Sequence, residues 1–148
     1  MVIKVYKCSD KKLKMHVKEL TIRALSKLIL DENTFNNLSI SIHIDHEKAD
    51  RDKAWGFCEA WYVGRKRINH FTIVLSDKCS KKSFNTYLLH ELVHVKQYVT
   101  KEIIDLLKGR CRWKGKLFKN VESISEDKAP WEIEAYELSE KLYLQLCT

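Results

Sequence analysis

The stretch SFNTYLLHELVHVKQY, residues 83–98, decides how the chain is read. Phe84, Tyr87, Leu88, Leu89, Leu92, Val93 and Val95 cover most of a helical surface, so the spacing predicts a buried helix over 83–98 with Ser83 as its N-cap. Into that apolar segment are set His90, Glu91 and His94. Burying charge costs free energy unless a partner is present, so three such groups in about one turn call for a partner. Residues four apart on a helix lie about 40° apart around the axis and one turn up. His90 and His94 therefore project side by side, and their ring nitrogens can share a point about 2.0–2.1 Å from each. Glu91 stands about 100° round from His90; it reaches a water beside that point rather than the point itself. This is the physical content of H-E-x-x-H: two imidazole ligands and a carboxylate next to an open position. With 6 His and 12 Glu in 148 residues, chance placement gives roughly 0.02 such matches.

A catalytic zinc normally takes three protein ligands. Among the downstream carboxylates, only those of PWEIEAYE (130–137) stand near the start of an apolar helix, which Pro130 is well suited to open. Glu132 and Glu134 are about 200° apart on that helix, so one can face the histidine pair and the other cannot. Spacing alone leaves the choice open.

HELVH (90–94), followed by a second helix carrying Glu132-Ile133-Glu134-Ala135, resembles the Glu-x-x-Ala pattern of the gluzincin metallopeptidases. The run HELVHVKQY … RWKGKLF … PWEIEAY is more closely similar to small phage-type SprT-like zinc metallopeptidases, over about residues 84–140. The resemblance implies a zincin-like minimal metallopeptidase in a single domain, 1–148, that hydrolyses peptide or protein substrates. It implies Zn2+ held by His90, His94 and Glu132, with Glu91 as general base. It also implies a phage source, with action in the host cytoplasm. The third histidine and zinc ribbon of SprT proteins are not found here. Where many gluzincins have an aspartate four residues past the ligand glutamate, this chain has Tyr136, which can hydrogen-bond an imidazole. Peptide hydrolysis also needs a donor for the tetrahedral oxyanion. Tyr98, Tyr136, His70 and Lys116 are candidates, and Tyr136 or a residue of 112–118 is preferred.

Around this centre the expected fold is α+β. A helix is predicted over 11–30, capped by Ser9 or Asp10, from the spacing of Leu13, Val17, Leu20, Ala24 and Leu28. NLSISIHI (37–44) alternates like a half-buried strand; AWGFCEAWYV (54–63) and INHFTIVLS (68–76) read as two more, joined by a turn at GRKR. Residues 45–53 read as a polar loop, 101–108 as a short helix ending at Gly109, and 112–118 as a hairpin turning at Lys114-Gly115. The expectation is a small, mainly antiparallel three-stranded sheet packed against an N-terminal helix, a buried H-E-x-x-H helix and a C-terminal glutamate helix. Strand 54–63 is the expected edge for an extended peptide, with Gly56 permitting close backbone approach.

The remaining features bound the function more loosely. No apolar run suggests a signal peptide or a membrane span, so a cytoplasmic protein with no membrane partner is expected. The five cysteines are scattered, without a CxxC pair, as free thiols would be. The net charge of +7 is uneven: residues 1–30 carry 8 basic and 2 acidic side chains, residues 122–148 carry 2 and 7. A basic surface suits nucleic acid, hence an alternative in which a SprT-like protease acts on DNA-associated proteins. A second alternative is a non-catalytic, zinc-stabilised binding module. The aromatic residues at 55, 61 and 62 read first as packing groups and only then as base-stacking ones. HIDH (43–46) has ligand-type residues without a trusted metal spacing.

Overall fold

The computed structural model describes residues 1–51, 55–61 and 69–148. The GRKR turn and Tyr62 lie outside these described residues. The chain mixes helices and strands. It begins with strand β1 (Val2–Tyr6) and continues with helix α1 (Lys11–Leu28), α2 (Glu32–Asn36), strand β2 (Ser39–Ile44) and α3 (His46–Arg51). Strands β3 (Gly56–Trp61) and β4 (His70–Leu75) precede the long helix α4 (Lys81–Val99). Short strands β5 (Ile103–Leu106), β6 (Arg110–Trp113) and β7 (Lys116–Phe118) follow, then a 3₁₀ turn at Val121–Ser123 and α5 (Pro130–Leu146). No helix of the described residues is long and apolar enough to cross a membrane.

The main sheet corrects the expected one. It has four strands in the order β1-β2-β4-β3; β1, β2 and β4 are parallel, and only β3 runs antiparallel, against β4. The strand at 2–6 escapes a local reading because its partner is not the next segment. Val2 pairs with Ser39 only after α1 and α2 have made the crossover that parallel strands require. Ile40, Ile42, Ile44, Phe71, Ile73 and Leu75 point their side chains into one core.

The helices form where their caps and apolar stripes allow. Asp10 Oδ1 accepts from the backbone of Lys12 and Leu13 at 2.8 and 3.2 Å, which starts α1. The face Val17, Leu20, Ala24, Leu25 then buries itself. The cap of α4 is Ser80, not Ser83: Ser80 Oγ accepts from the Ser83 amide at 3.1 Å, so the helix begins three residues earlier than its apolar pattern. Asp45 accepts from the Lys48 amide at 3.1 Å, and the polar run after it folds as α3 rather than a loop. Pro130 occupies the first turn of α5, where its missing N–H costs nothing.

Two apolar clusters result. The larger gathers the main sheet, α1 and α4, with Ala135 and Leu142 of α5. The smaller, built on Ile103, Cys111, Trp113, Ala129 and Trp131, lies under a second three-stranded sheet, β5-β6-β7. Residues 103–106 are a strand of that sheet and not the expected helix; Ile103 pairs with Trp113 and Leu106 with Arg110. The 112–118 hairpin forms as expected, with Lys114 and Gly115 both at positive φ, 44° and 85°. Tyr98, near the end of α4, packs against both clusters. Helix α4 therefore sits between the main sheet and α5, and its C-terminal end meets the small sheet.

Candidate metal centre

His90 and His94 stand one turn apart on α4, with their rings nearly perpendicular and their Nε2 atoms 3.1 Å from each other. Glu132, in the first turn of α5, places Oε2 3.1 Å from His90 Nε2 and 3.4 Å from His94 Nε2. Three donor atoms thus form a triangle with edges of 3.1, 3.1 and 3.4 Å. Tetrahedral ligands about 2.0–2.1 Å from a zinc ion lie about 3.3 Å from one another, so the donor set fits such an ion as it stands. Among the described residues no other group of His, Cys, Asp and Glu gathers in this way.

Charge argues in the same direction. Glu91 and Glu132 both face this point, and among the described residues no Lys or Arg pairs with either. Burial alone would raise the Glu132 carboxyl, but hydrogen bonds from His90 and His94 override it and hold it at about 2. Burial alone would lower the His94 imidazole, but the hydrogen bond and charge of Glu132, followed by Glu91, push it up to about 9. The two carboxylates favour positive charge at this point.

Glu91 is buried, and desolvation raises its carboxyl despite the nearby histidines. No hydrogen bond from the described residues reaches its oxygens. The strand next to it is β3. A Cβ built on Gly56 would stand 2.8 Å from Leu75 Cδ2, 3.3 Å from the Val74 carbonyl oxygen and 3.5 Å from Glu91 Oε1. Gly56 thus lets the sheet edge lie close over Leu75 and the carboxylate.

The three donors and Glu91 open on a cleft of about 650 Å³, lined also by Trp55, Gly56, Tyr87, Leu106, Arg110 and Trp131. Among the described residues β3 pairs only with β4, and its other edge runs along this cleft.

The other expected residues are distributed as follows. Tyr136 packs its ring 4.5 Å from that of His90, yet its hydroxyl donates to Glu126 Oε2 at 3.5 Å and not to an imidazole. Burial and the Glu126 charge raise its phenol. Tyr98 lines the cleft and donates to Asp105 at 3.2 Å. His70 is away from it, bonded to Ser39 at 3.1 Å, and the Lys116 ammonium lies over the Phe118 ring at 5.3 Å. His43 stacks on Tyr6, Asp45 pairs with Lys7 at 2.5 Å, and His46 stands 3.8 Å from Asp77, so HIDH disperses to separate partners. Trp55 stacks on Tyr87, and Trp61 donates to Thr72 at 2.9 Å. The cysteines are free, and Cys58, whose thiol burial raises, lines the cleft.

One residue of the site escapes the motif. Gln97 is fully buried, and its Oε1 lies 2.8 Å from His94 Nδ1. The signal for it was present: a polar side chain three residues past His94, on the same face of an apolar helix. Glu134 does not face the donor triangle. It accepts from Gln97 Nε2 at 2.9 Å, Lys96 at 3.3 Å and Lys114 at 2.8 Å.

Comparison with protein-family models, with curated proteins and with solved structures finds no match for this chain.

Proposed function

We propose that the chain is a zinc-dependent metallopeptidase of gluzincin type, resembling the small SprT-like enzymes. The observation that carries the reading is the meeting of His90, His94 and Glu132, from two helices, beside a buried Glu91 that no described residue hydrogen-bonds, on an open cleft. His90, His94 and Glu132 are the residues that would hold the ion. When bound there, zinc supplies a water acidified to a pKa of about 7 and a Lewis acid for the substrate carbonyl.

The protein's own residues supply the rest. Glu91 takes the proton of the attacking water on its carboxylate and passes it to the leaving amine; its raised pKa suits a group that must both accept and release. The cleft-side edge of β3 orients an extended peptide through backbone hydrogen bonds, with Gly56 keeping the approach to Glu91 clear. Tyr136, its ring against His90, turns its hydroxyl from Glu126 toward the developing oxyanion. Trp55, Tyr87 and Trp131 offer apolar contact to side chains of the bound peptide.

The test is metal content and peptide hydrolysis measured together. One zinc per chain, hydrolysis abolished by a chelator, and a Glu91→Gln variant that keeps zinc and loses hydrolysis are expected. A Glu91→Gln protein with unchanged behaviour in every assay would instead indicate a zinc-stabilised binding module, because a purely structural site needs no base.

A further inference from the structure

Gln97 and Glu134 are polar groups that the proposed chemistry leaves without a role, and they contact each other next to the site. We propose that they form a positioning relay: Gln97 fixes the ring and tautomer of His94 for metal binding, and Glu134 clamps Gln97. This rests on the metal-centre reading above and extends it to residues outside the H-E-x-x-H motif.

The relay follows from donor and acceptor accounting. Gln97 Nε2 donates to the Trp131 carbonyl at 2.8 Å and to Glu134 Oε2 at 2.9 Å. Both partners only accept, so the amide nitrogen must face them and the amide oxygen must face His94. Oε1 then accepts from His94 Nδ1–H across 2.8 Å. In the neutral imidazole, the form a metal requires, that bond leaves the lone pair of His94 on Nε2, the atom that looks at Glu132 and His90. Reversing the amide would set its oxygen against a carbonyl and a carboxylate, so Glu134 and Trp131 together lock the orientation.

Placement makes the device compact. Gln97 is three residues past His94 and shares its face of α4. Glu132 and Glu134 are two residues apart on α5, so the first turn of one helix sends a ligand to one side of the contact with α4 and the clamp to the other. Lys96 and Lys114 neutralise Glu134 there. His94 therefore donates to a neutral amide and not directly to a charged group. His90 has no such support: its Nδ1 is buried without a hydrogen-bond partner among the described residues. The two imidazoles are held unequally, and His94 is the oriented one.

The experiment uses the full chain, stripped of metal, with Zn2+ affinity read by chelator competition and Co2+ absorption as a report on ligand geometry. Gln97→Leu should weaken Zn2+ binding by about 10–100-fold and alter the Co2+ bands. Glu134→Gln alone should weaken Zn2+ binding by less, about 3–10-fold. The double variant Gln97→Glu with Glu134→Gln should bind Zn2+ more tightly than the product of the single-variant losses predicts. In it the carboxylate at 97 still accepts from His94, and the amide at 134 donates to it. A packing role predicts no such recovery. A folded Gln97→Leu protein with Zn2+ affinity within about twofold of wild type would overturn the relay, as would a double variant no better than the product. Should Gln97→Leu not fold, the single and double exchanges decide the question alone, since they change hydrogen bonds with little change in volume. A wild-type chain that binds neither ion overturns the metal-centre reading itself, an outcome distinct from loss of the relay.

Discussion

The contact between α4 and α5 has two sides made from the same kinds of residue and finished differently. On one side Glu134 meets Lys96, Lys114 and Gln97, and Lys96 also holds Glu102 at 2.6 Å. Cations lie beside each carboxylate, and the cluster is complete without any visitor. On the other side Glu132 and Glu91 stand beside two histidines, and among the described residues no lysine or arginine pairs with either. With both imidazoles neutral that side carries two negative charges, Glu91 buried and Glu132 half-buried. A divalent cation would neutralise them, and in its absence protons on the histidines or on the raised Glu91 carboxyl do so. The difference separates a structural clasp from a binding centre more firmly than the motif does, because it counts charge and not residue names.

Removing one carboxylate from each side breaks the comparison most sharply. Glu132→Ala should abolish measurable zinc binding and hydrolysis, since it deletes one of three donors. Glu134→Ala should keep the ion with an affinity lowered by about tenfold, in the range of lost supporting residues. Metal analysis of both proteins after identical dialysis is sufficient. Equal zinc content in the two would mean that Glu132 is not a ligand.

Glu91→Gln comes next. Hydrolysis should fall by about 10²–10⁴-fold, the usual contribution of a general base, with zinc retained. The same change should raise the melting temperature of the metal-free protein at neutral pH. The sign follows from burial. The folded-state pKa of Glu91 is raised, so its ionisation costs stability once the pH passes the unfolded value of 4.5. The glutamine has no such cost, and the gain should vanish below pH 4. Thermal melts of both proteins across that range read it directly.

A smaller effect concerns pH and the metal-free pair. His94, raised to about 9, contributes stability that is complete below its unfolded value of 6.5 and lost as pH climbs through 9. Glu132, held at about 2, contributes stability that is complete above its unfolded value of 4.5 and lost as pH falls through 2. The pair therefore supports the metal-free fold best between about pH 4.5 and 6.5. Zinc needs the lone pair that this proton occupies. Binding at pH 7.5 should release about one proton per ion from His94, measurable by calorimetry in buffers of different ionisation enthalpy. A release near zero would show that the imidazole is already neutral.

What could be read from the chain tracks how local the physics is. The H-E-x-x-H helix and the start of α5 at Pro130 were legible because helical spacing and proline chemistry act within a few residues. Glu132 over Glu134 was not decided by spacing, since the choice depends on which face of α5 turns to α4. Strand β1 was missed because VIKVY finds its partner more than thirty positions away. Residues 101–108 read as a short helix because so short a segment has no clear period of its own; pairing with β6 makes 103–106 a strand. Gln97 belongs to no motif, and its burial and its two acceptors become visible only once α5 packs on α4.

The smallest expected effect is at Lys114, where the clasp reaches the tip of the β6–β7 hairpin. Its ammonium is 2.8 Å from Glu134 Oε1 and 4.9 Å from the Trp113 ring centroid, with half of the side chain exposed. Solvent screens such a pair, and ion pairs of this kind contribute about 0–1 kcal/mol. Lys96, less exposed than Lys114 and shared between Glu102 and Glu134, is the cation that Glu134 depends on. Lys114→Gln should therefore lower stability by less than about 1 kcal/mol and move zinc affinity by no more than about threefold. Lys96→Gln should exceed it in both measurements. If Lys114→Gln proved the more damaging to zinc binding, the metal centre would depend on where the hairpin docks, and the two sides of the α4–α5 contact would no longer be separable.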